Sequence, residues 1–117
     1  MADHNELGTR GEDEAVTFLI KKGYKIKERN WRFAKAEIDI IAENEDWLVM
    51  IEVKTRSSDA FGNPEEFVSK SKQKHLIRAA NRYLELNPTD KDTRFDIISI
   101  VIEPKFSIEH IPEAFYP

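Results

Sequence analysis

A chain of 117 residues supports one hydrophobic core, large enough to bury roughly two thirds of the surface its unfolded form exposes. Hydrophobic residues at 40% and charged residues at 34% describe a water-soluble globular chain, and no stretch approaches the ~20 apolar residues of a membrane span. With no cysteine, disulfides and thiolate chemistry are excluded; with no basic, apolar leader at the N-terminus, a cytoplasmic location is expected.

Over 7–22, Leu7, Gly11, Ala15, Phe18 and Leu19 recur at three- and four-residue intervals, which predicts a helix, and Gly23 follows as its C′ residue. Three short runs rich in Ile, Val and aromatic residues come next, at 24–31, 37–42 and 47–55, separated by polar turns such as Glu43-Asn44-Glu45-Asp46. They predict a three-stranded meander. The Ser, Asp, Gly, Asn and Pro content of 55–67 predicts a long loop, where mobility is expected. Ser69 or Ser71 can cap a second helix to about Leu86, with Leu76, Ile77, Ala80, Tyr83 and Leu84 inward and Lys70, Lys74, Arg78 and Arg82 on other faces. A strand over 94–102 and a short edge strand over 106–111 close the chain. This order, without repeats or linkers, predicts a single domain, an α+β or mixed α/β sandwich.

The formal charge of −4 is unlike a protein that coats nucleic acid by bulk attraction. Charge is unevenly spread, however: residues 54–82 carry seven basic against three acidic side chains, a surplus of +4 that leaves the rest at −8. One anion-facing side explains this, and so do solvated helix charges.

Alternate residues of a strand share a face, so Leu48, Met50, Glu52 and Lys54 line one side and Val49, Ile51 and Val53 the other. In the preceding strand Glu37, Asp39 and Ile41 are expected on one face, and Ile38, Ile40 and Ala42 on the opposite one. Neighbouring strands lie ~4.8 Å apart, so antiparallel pairing brings Asp39 beside Glu52. Two facing carboxylates repel unless one is protonated or a cation lies between them. Mg²⁺ (or Mn²⁺), with oxygen ligands at ~2.0–2.1 Å, suits such a pair with a backbone carbonyl, that of Val53. Lys54 would then stand beside the nucleophilic water of a phosphodiester hydrolysis.

The tripeptide alone is a weak signal, because 22 acidic residues and 11 lysines yield about two acid-x-Lys matches by chance. Glu103-Pro104-Lys105 is a second match, but Pro104 breaks its strand and no acid-bearing strand precedes it. Standing alone, Glu52 and Lys54 also read as a surface ion pair at a strand end.

"EID" followed by "MIEVKTR", with Gly11-Glu12 upstream, "SKSKQKHL" in the second helix and Arg94-Phe95-Asp96 downstream, resembles the YraN-like family of uncharacterised bacterial proteins. That family is placed in the PD-(D/E)xK, restriction-endonuclease-like superfamily. The resemblance implies an α/β fold with a restriction-endonuclease-like core in αβββαβ order, a mixed central sheet flanked by helices. It also implies Asp39 as metal-binding acid, Glu52 as second acid and Lys54 as catalytic lysine. Glu12 corresponds to a first-helix acid that joins the metal site in resolvase-like members; a charge complementing the helix dipole is the alternative. Gln73, beside Lys72 and Lys74, resembles helix residues that assist at the phosphate, and with Lys70 and Arg56 completes a candidate nucleic-acid-binding set. Ile38 replaces the superfamily proline, and Ala36 the glycine usual before Glu-Ile-Asp.

The function so implied is a Mg²⁺-dependent nuclease acting on DNA, branched or damaged rather than sequence-specific, in repair or recombination, and resolvase-like relatives act as homodimers. The alternatives are a non-catalytic nucleic-acid-binding or scaffold protein keeping the nuclease fold, and a protein-interaction domain with a basic helix. His4, His75 and His110 show no metal-ligand spacing. Trp31, Phe33, Trp47 and Phe61 read as core or rim aromatics, with Phe61 also placed to meet a base.

Overall fold

The computed structural model describes residues 4–58 and 68–117. The first helix, α1 (His4–Lys21), carries Glu6 in its first turn and Lys21 in its last, each complementing the helix dipole. It ends at Gly23, whose φ of 94° is left-handed. The Tyr24 N–H reaches the Leu19 carbonyl at 3.0 Å and the Gly23 N–H the Ile20 carbonyl at 3.0 Å, which together form a Schellman cap.

Three strands follow as an antiparallel meander: β1 (Lys25–Phe33), β2 (Ala36–Glu43) and β3 (Trp47–Ser58). Asn44 shapes the β2–β3 turn, its side-chain oxygen accepting from the N–H groups of Asp46 and Trp47. The second helix, α2 (Lys70–Leu86), is capped by Ser69, whose hydroxyl accepts from the Lys72 N–H. This helix carries the chain over the sheet so that β4 (Asp92–Glu103) can pair parallel to β3, a junction that needs a crossover. A fifth strand, β5 (Ser107–Phe115), pairs antiparallel with β4. The result is one mixed sheet in the order β1-β2-β3-β4-β5.

The two helices cover opposite faces. Ala15 and Leu19 of α1 pack on Ile40, Val49, Ile51, Ile98 and Ile100. Leu76, Ala79, Ala80 and Tyr83 of α2 pack on Ile38, Ile41, Met50, Phe95 and Ile97. Gly11 lets α1 approach β3 closely, since a Cβ built there would stand 1.7 Å from Thr55 Oγ1. The exposed edge, β1, carries Lys25, Lys27, Glu28 and Arg29, charges that discourage pairing with another sheet.

The αβββαβ order holds, followed by the expected edge strand, which runs longer, over Ser107–Phe115. Two other expectations change. The long loop begins later than Thr55: Arg56 pairs with Val101 and Ser58 with Glu103, so β4 holds the end of β3 in the sheet. The rest of that loop, with Phe61, lies outside the described residues. Leu48 and Met50 do face α2 while Val49, Ile51 and Val53 face α1, but β2 does not alternate throughout. Ile38 and Ile41 share the α2 face and Ile40 and Ala42 the α1 face, a slip of one residue at Asp39. Across from it on β1 stands Asn30 with a left-handed φ of 53°; the register is kept there, from Arg29↔Ile40 to Trp31↔Ile38, and shifts between Ile26 and Glu28.

Candidate active site

Pairing of β2 with β3 stops at Ile40↔Ile51, while β3 continues along β4 to Ser58. The two strands therefore part just where the acids stand. The backbone group left over is not wasted: the Val53 N–H donates to Asp39 Oδ2 at 2.8 Å, so a side chain replaces the missing ladder bond. Into this fork opens a cleft of about 180 Å³ lined by Glu12, Asp39, Glu52, Val53 and Lys54, with Gly8 and Thr55. Five residues singled out from the sequence thus meet on one surface, from α1, β2 and β3.

Electrostatics in the cleft are strained by its own composition. Burial, followed by the neighbouring Glu52 charge, raises the Asp39 carboxyl from 3.8 to about 8; Glu12 adds to the rise, while the Val53 N–H and Lys72 oppose it. Glu52 is 8% exposed. Its Oε1 meets the Lys72 ammonium at 2.5 Å, and its Oε2 is buried with no hydrogen-bond partner among the described residues. Glu12 Oε1 accepts from the Asn30 side-chain amide at 2.9 Å, and the same amide donates to Glu37 Oε1 at 3.0 Å. Glu37 also accepts from Arg32 Nε at 2.6 Å.

Three carboxylates, those of Glu12, Glu37 and Asp39, offer oxygens within 4.8 Å of one another. Glu52 is not among the three, though its charge is felt at Asp39 and it lines the same cleft; an all-oxygen set of this kind fits a hard divalent cation such as Mg²⁺. Glu37 was not singled out as a ligand from the sequence, although alternation put it on the face of Asp39. Its position two residues before Asp39 on one strand was the available signal.

The basic set divides. Lys70 and Lys74 are exposed on the first turns of α2, whereas Lys72 turns to Glu52. Gln73 donates its side-chain amide to the Val68 carbonyl at 3.1 Å, bracing the start of the helix. Arg56 lies half-buried in β3, not on a loop.

The Arg94-Phe95-Asp96 signature serves another part of the molecule. Asp96 is fully buried and takes two hydrogen bonds from Arg94, at 2.9 and 2.8 Å. His110 Nε2 lies 2.6 Å from Asp96 Oδ2, and Lys22 Nζ 2.8 Å from His110 Nδ1. A lysine ammonium only donates, so Nδ1 accepts and the ring proton sits on Nε2, facing Asp96. Arg94 also donates to the Tyr24 hydroxyl at 2.6 Å. This network ties β4 and β5 to the C-terminal end of α1, whereas Gly8 and Glu12 of the cleft lie in its N-terminal half. A larger cavity of about 500 Å³ near it, lined by Trp47, Phe95, Phe115 and Tyr116 among others, is mainly apolar and shares no lining residue with the acidic cleft. Trp31 and Phe33 pack on the α2-side core, Trp31 edge-on to Tyr83 at 5.3 Å.

Fold and cleft together define a three-layer α/β protein whose central strands diverge around a group of acids and a lysine. The chain belongs to the uncharacterised protein family UPF0102, the YraN family, whose family model matches residues 11–100. It is 56% identical over 117 residues to a UPF0102 protein of Flavobacterium psychrophilum, covering 99% of this chain and 98% of the relative. UPF0102 proteins of Phocaeicola vulgatus and Bacteroides thetaiotaomicron are each 51% identical over 118 residues, covering 100% of this chain and 98% of theirs. Among solved structures, Pyrococcus furiosus SfsA in complex with Ca²⁺ aligns over 90% of this chain and 63% of its own at 12% identity, with a TM-score of 0.35. No helix among the described residues is long and apolar enough to cross a membrane.

Proposed function

We propose that this protein is a Mg²⁺-dependent nuclease that hydrolyses DNA phosphodiester bonds, acting on branched or damaged DNA during repair or recombination in the cytoplasm. The observation that carries the reading is the convergence of Asp39, Glu52, Val53, Lys54 and Glu12 on one cleft, with Glu52 Oε2 buried and unpartnered among the described residues. Asp39, Glu52 and the Val53 carbonyl would hold the ion, with Glu12 and Glu37 completing its surroundings. When bound, Mg²⁺ would neutralise phosphate charge and acidify a water. The Val53 N–H keeps Asp39 turned into the cleft. Lys54, which lines the same cleft, would orient the attacking water and offset charge growing on the phosphate oxygens. Exposed Lys70 and Lys74 would hold the DNA backbone beside the cleft. The preference for branched DNA rests on the resolvase-like resemblance.

The test is cleavage of flapped, four-way and single-stranded DNA by purified protein with Mg²⁺ or Mn²⁺. Activity lost in Asp39→Asn and Lys54→Ala supports the reading; no cleavage of any of these by the wild type contradicts it.

A second reading, a nuclease fold kept for DNA binding without turnover, is favoured by the Lys72–Glu52 ion pair, which gives Glu52 a counter-ion without metal. Metal-independent DNA binding that survives Glu52→Gln and is lost when Lys70 and Lys74 are reversed to Glu would support it.

A further inference from the structure

Lys72 stands in the first turn of α2, which carries no acidic residue, so its charge lies at the positive end of the helix dipole. That is an unfavourable place for a lysine serving only as a solvated helix charge. What it meets there is Glu52: Nζ is 2.5 Å from Oε1, with the Lys72 side chain 45% exposed and that of Glu52 9%. The backbone at Lys72 is fixed as well, because its N–H donates to the Ser69 cap at 3.1 Å. One oxygen of Glu52 is therefore held from the helix side, while the other, Oε2, is buried without a partner among the described residues. A carboxylate restrained at one oxygen and bare at the other is arranged as a ligand arm.

We infer that Lys72 is a positioning residue for the metal site: it holds Glu52 by Oε1 and turned so that Oε2 faces the divalent ion. The inference rests on the metal-site reading above and adds to it a role for Lys72 other than contact with DNA. Its ammonium stays on Oε1 when the ion arrives on Oε2, in the way that ligating carboxylates are commonly hydrogen-bonded by an outer shell. Removing the ammonium frees Oε1 of this nearly buried carboxylate, which is then no longer held in the ligating orientation.

Calorimetric titration of Mg²⁺ alone into the full chain tests this at about pH 9, above the raised Asp39 value of about 8. Lys72→Met, which keeps the aliphatic stem, is expected to weaken Mg²⁺ binding by roughly 10- to 100-fold, and Lys72→Arg to recover most of it. Binding by Lys72→Met that equals or exceeds the wild type overturns the inference, since it makes lysine and ion indifferent or competitors. A wild-type measurement guards against a variant that does not fold: the ammonium NMR signal of Lys72 should persist, in contact with Glu52, after Mg²⁺ is added. Its loss on loading overturns the inference equally. The underlying reading fails separately, if the wild type binds no Mg²⁺ or binds it identically to Glu52→Gln.

Discussion

The backbone N–H of Val53 donates to the Asp39 carboxylate at 2.8 Å, on the far side of the last β2–β3 ladder pair, Ile40↔Ile51. A side chain thus completes a hydrogen bond that regular pairing would have supplied, and in doing so it is fixed beside a second acid, Glu52, whose charge it feels. Sheet geometry and site chemistry meet in this one contact.

Asp39→Asn keeps an acceptor for the Val53 N–H and removes the buried charge. The substitution should abolish Mg²⁺ binding and DNA cleavage, yet stabilise the metal-free protein above pH 8 by about 1–3 kcal/mol, the exchange of stability for function typical of charged sites. Urea denaturation in the presence of a chelator measures the gain. A loss of stability would show that the Asp39 charge is a structural asset.

The raised Asp39 carboxyl sets a pH window. Between 3.8 and about 8 the folded, metal-free protein holds a proton that the unfolded chain has released. The stability due to this group is fully present below the unfolded value and is lost as pH rises through about 8. Mg²⁺ must displace that proton, so its apparent affinity should climb by up to about tenfold per pH unit below the folded value and flatten above it. Calorimetry near pH 6 in buffers of different ionisation enthalpy should find about one proton released per ion. Affinity independent of pH across this range would contradict the assignment.

Gly11→Ala places a methyl group onto Thr55, the nearest atom at 1.7 Å from the ideal Cβ. Loss of about 1–3 kcal/mol is expected as α1 lifts from β3, and Glu12 should move with it. Thr55→Ala removes the closest atom, so the double variant should recover part of the loss, read as a coupling in a double-mutant cycle. Strictly additive losses would mean that α1 adjusts elsewhere.

Asp96→Asn leaves Arg94, whose side chain is 11% exposed, without its charge partner, and His110 nearly buried beside it. A cost of about 3–5 kcal/mol in denaturation is expected, with Mg²⁺ affinity of the folded protein unchanged. Burial alone would raise the Asp96 carboxyl, but His110 and Arg94 hold it below the ordinary range. Its contribution to stability is therefore present above the unfolded value and lost as pH falls through the folded one. Loss of metal binding in a folded Asp96→Asn would tie this network to the cleft.

Period-two spacing was enough to place Leu48 and Met50 on one face of β3 and Val49, Ile51 and Val53 on the other, and Gly23 and Ser69 announced the end of one helix and the start of the other. These features depend on neighbours in the chain. The slip at Asp39 was not legible because Ile38, Ile40 and Ile41 around it suit either buried face of the sheet. Arg56 looked like loop because Ser57 and Ser58 follow it, yet β4 recruits all three into a strand. Lys72 on Glu52, and His110 on Asp96, join residues 20 and 14 apart through the packing of whole elements. Charge patterning could count those lysines but not say which one would turn inward.

The most direct test of a cation site at the β2–β3 fork is a crystal structure from Mn²⁺-soaked crystals, read by anomalous scattering. The account predicts a peak bounded by the carboxylates of Asp39 and Glu52, with oxygen ligands at ~2.0–2.2 Å and further density toward Glu12 or Glu37. A cleft without a peak at saturating Mn²⁺, or an ion bound only elsewhere on the surface, would contradict it.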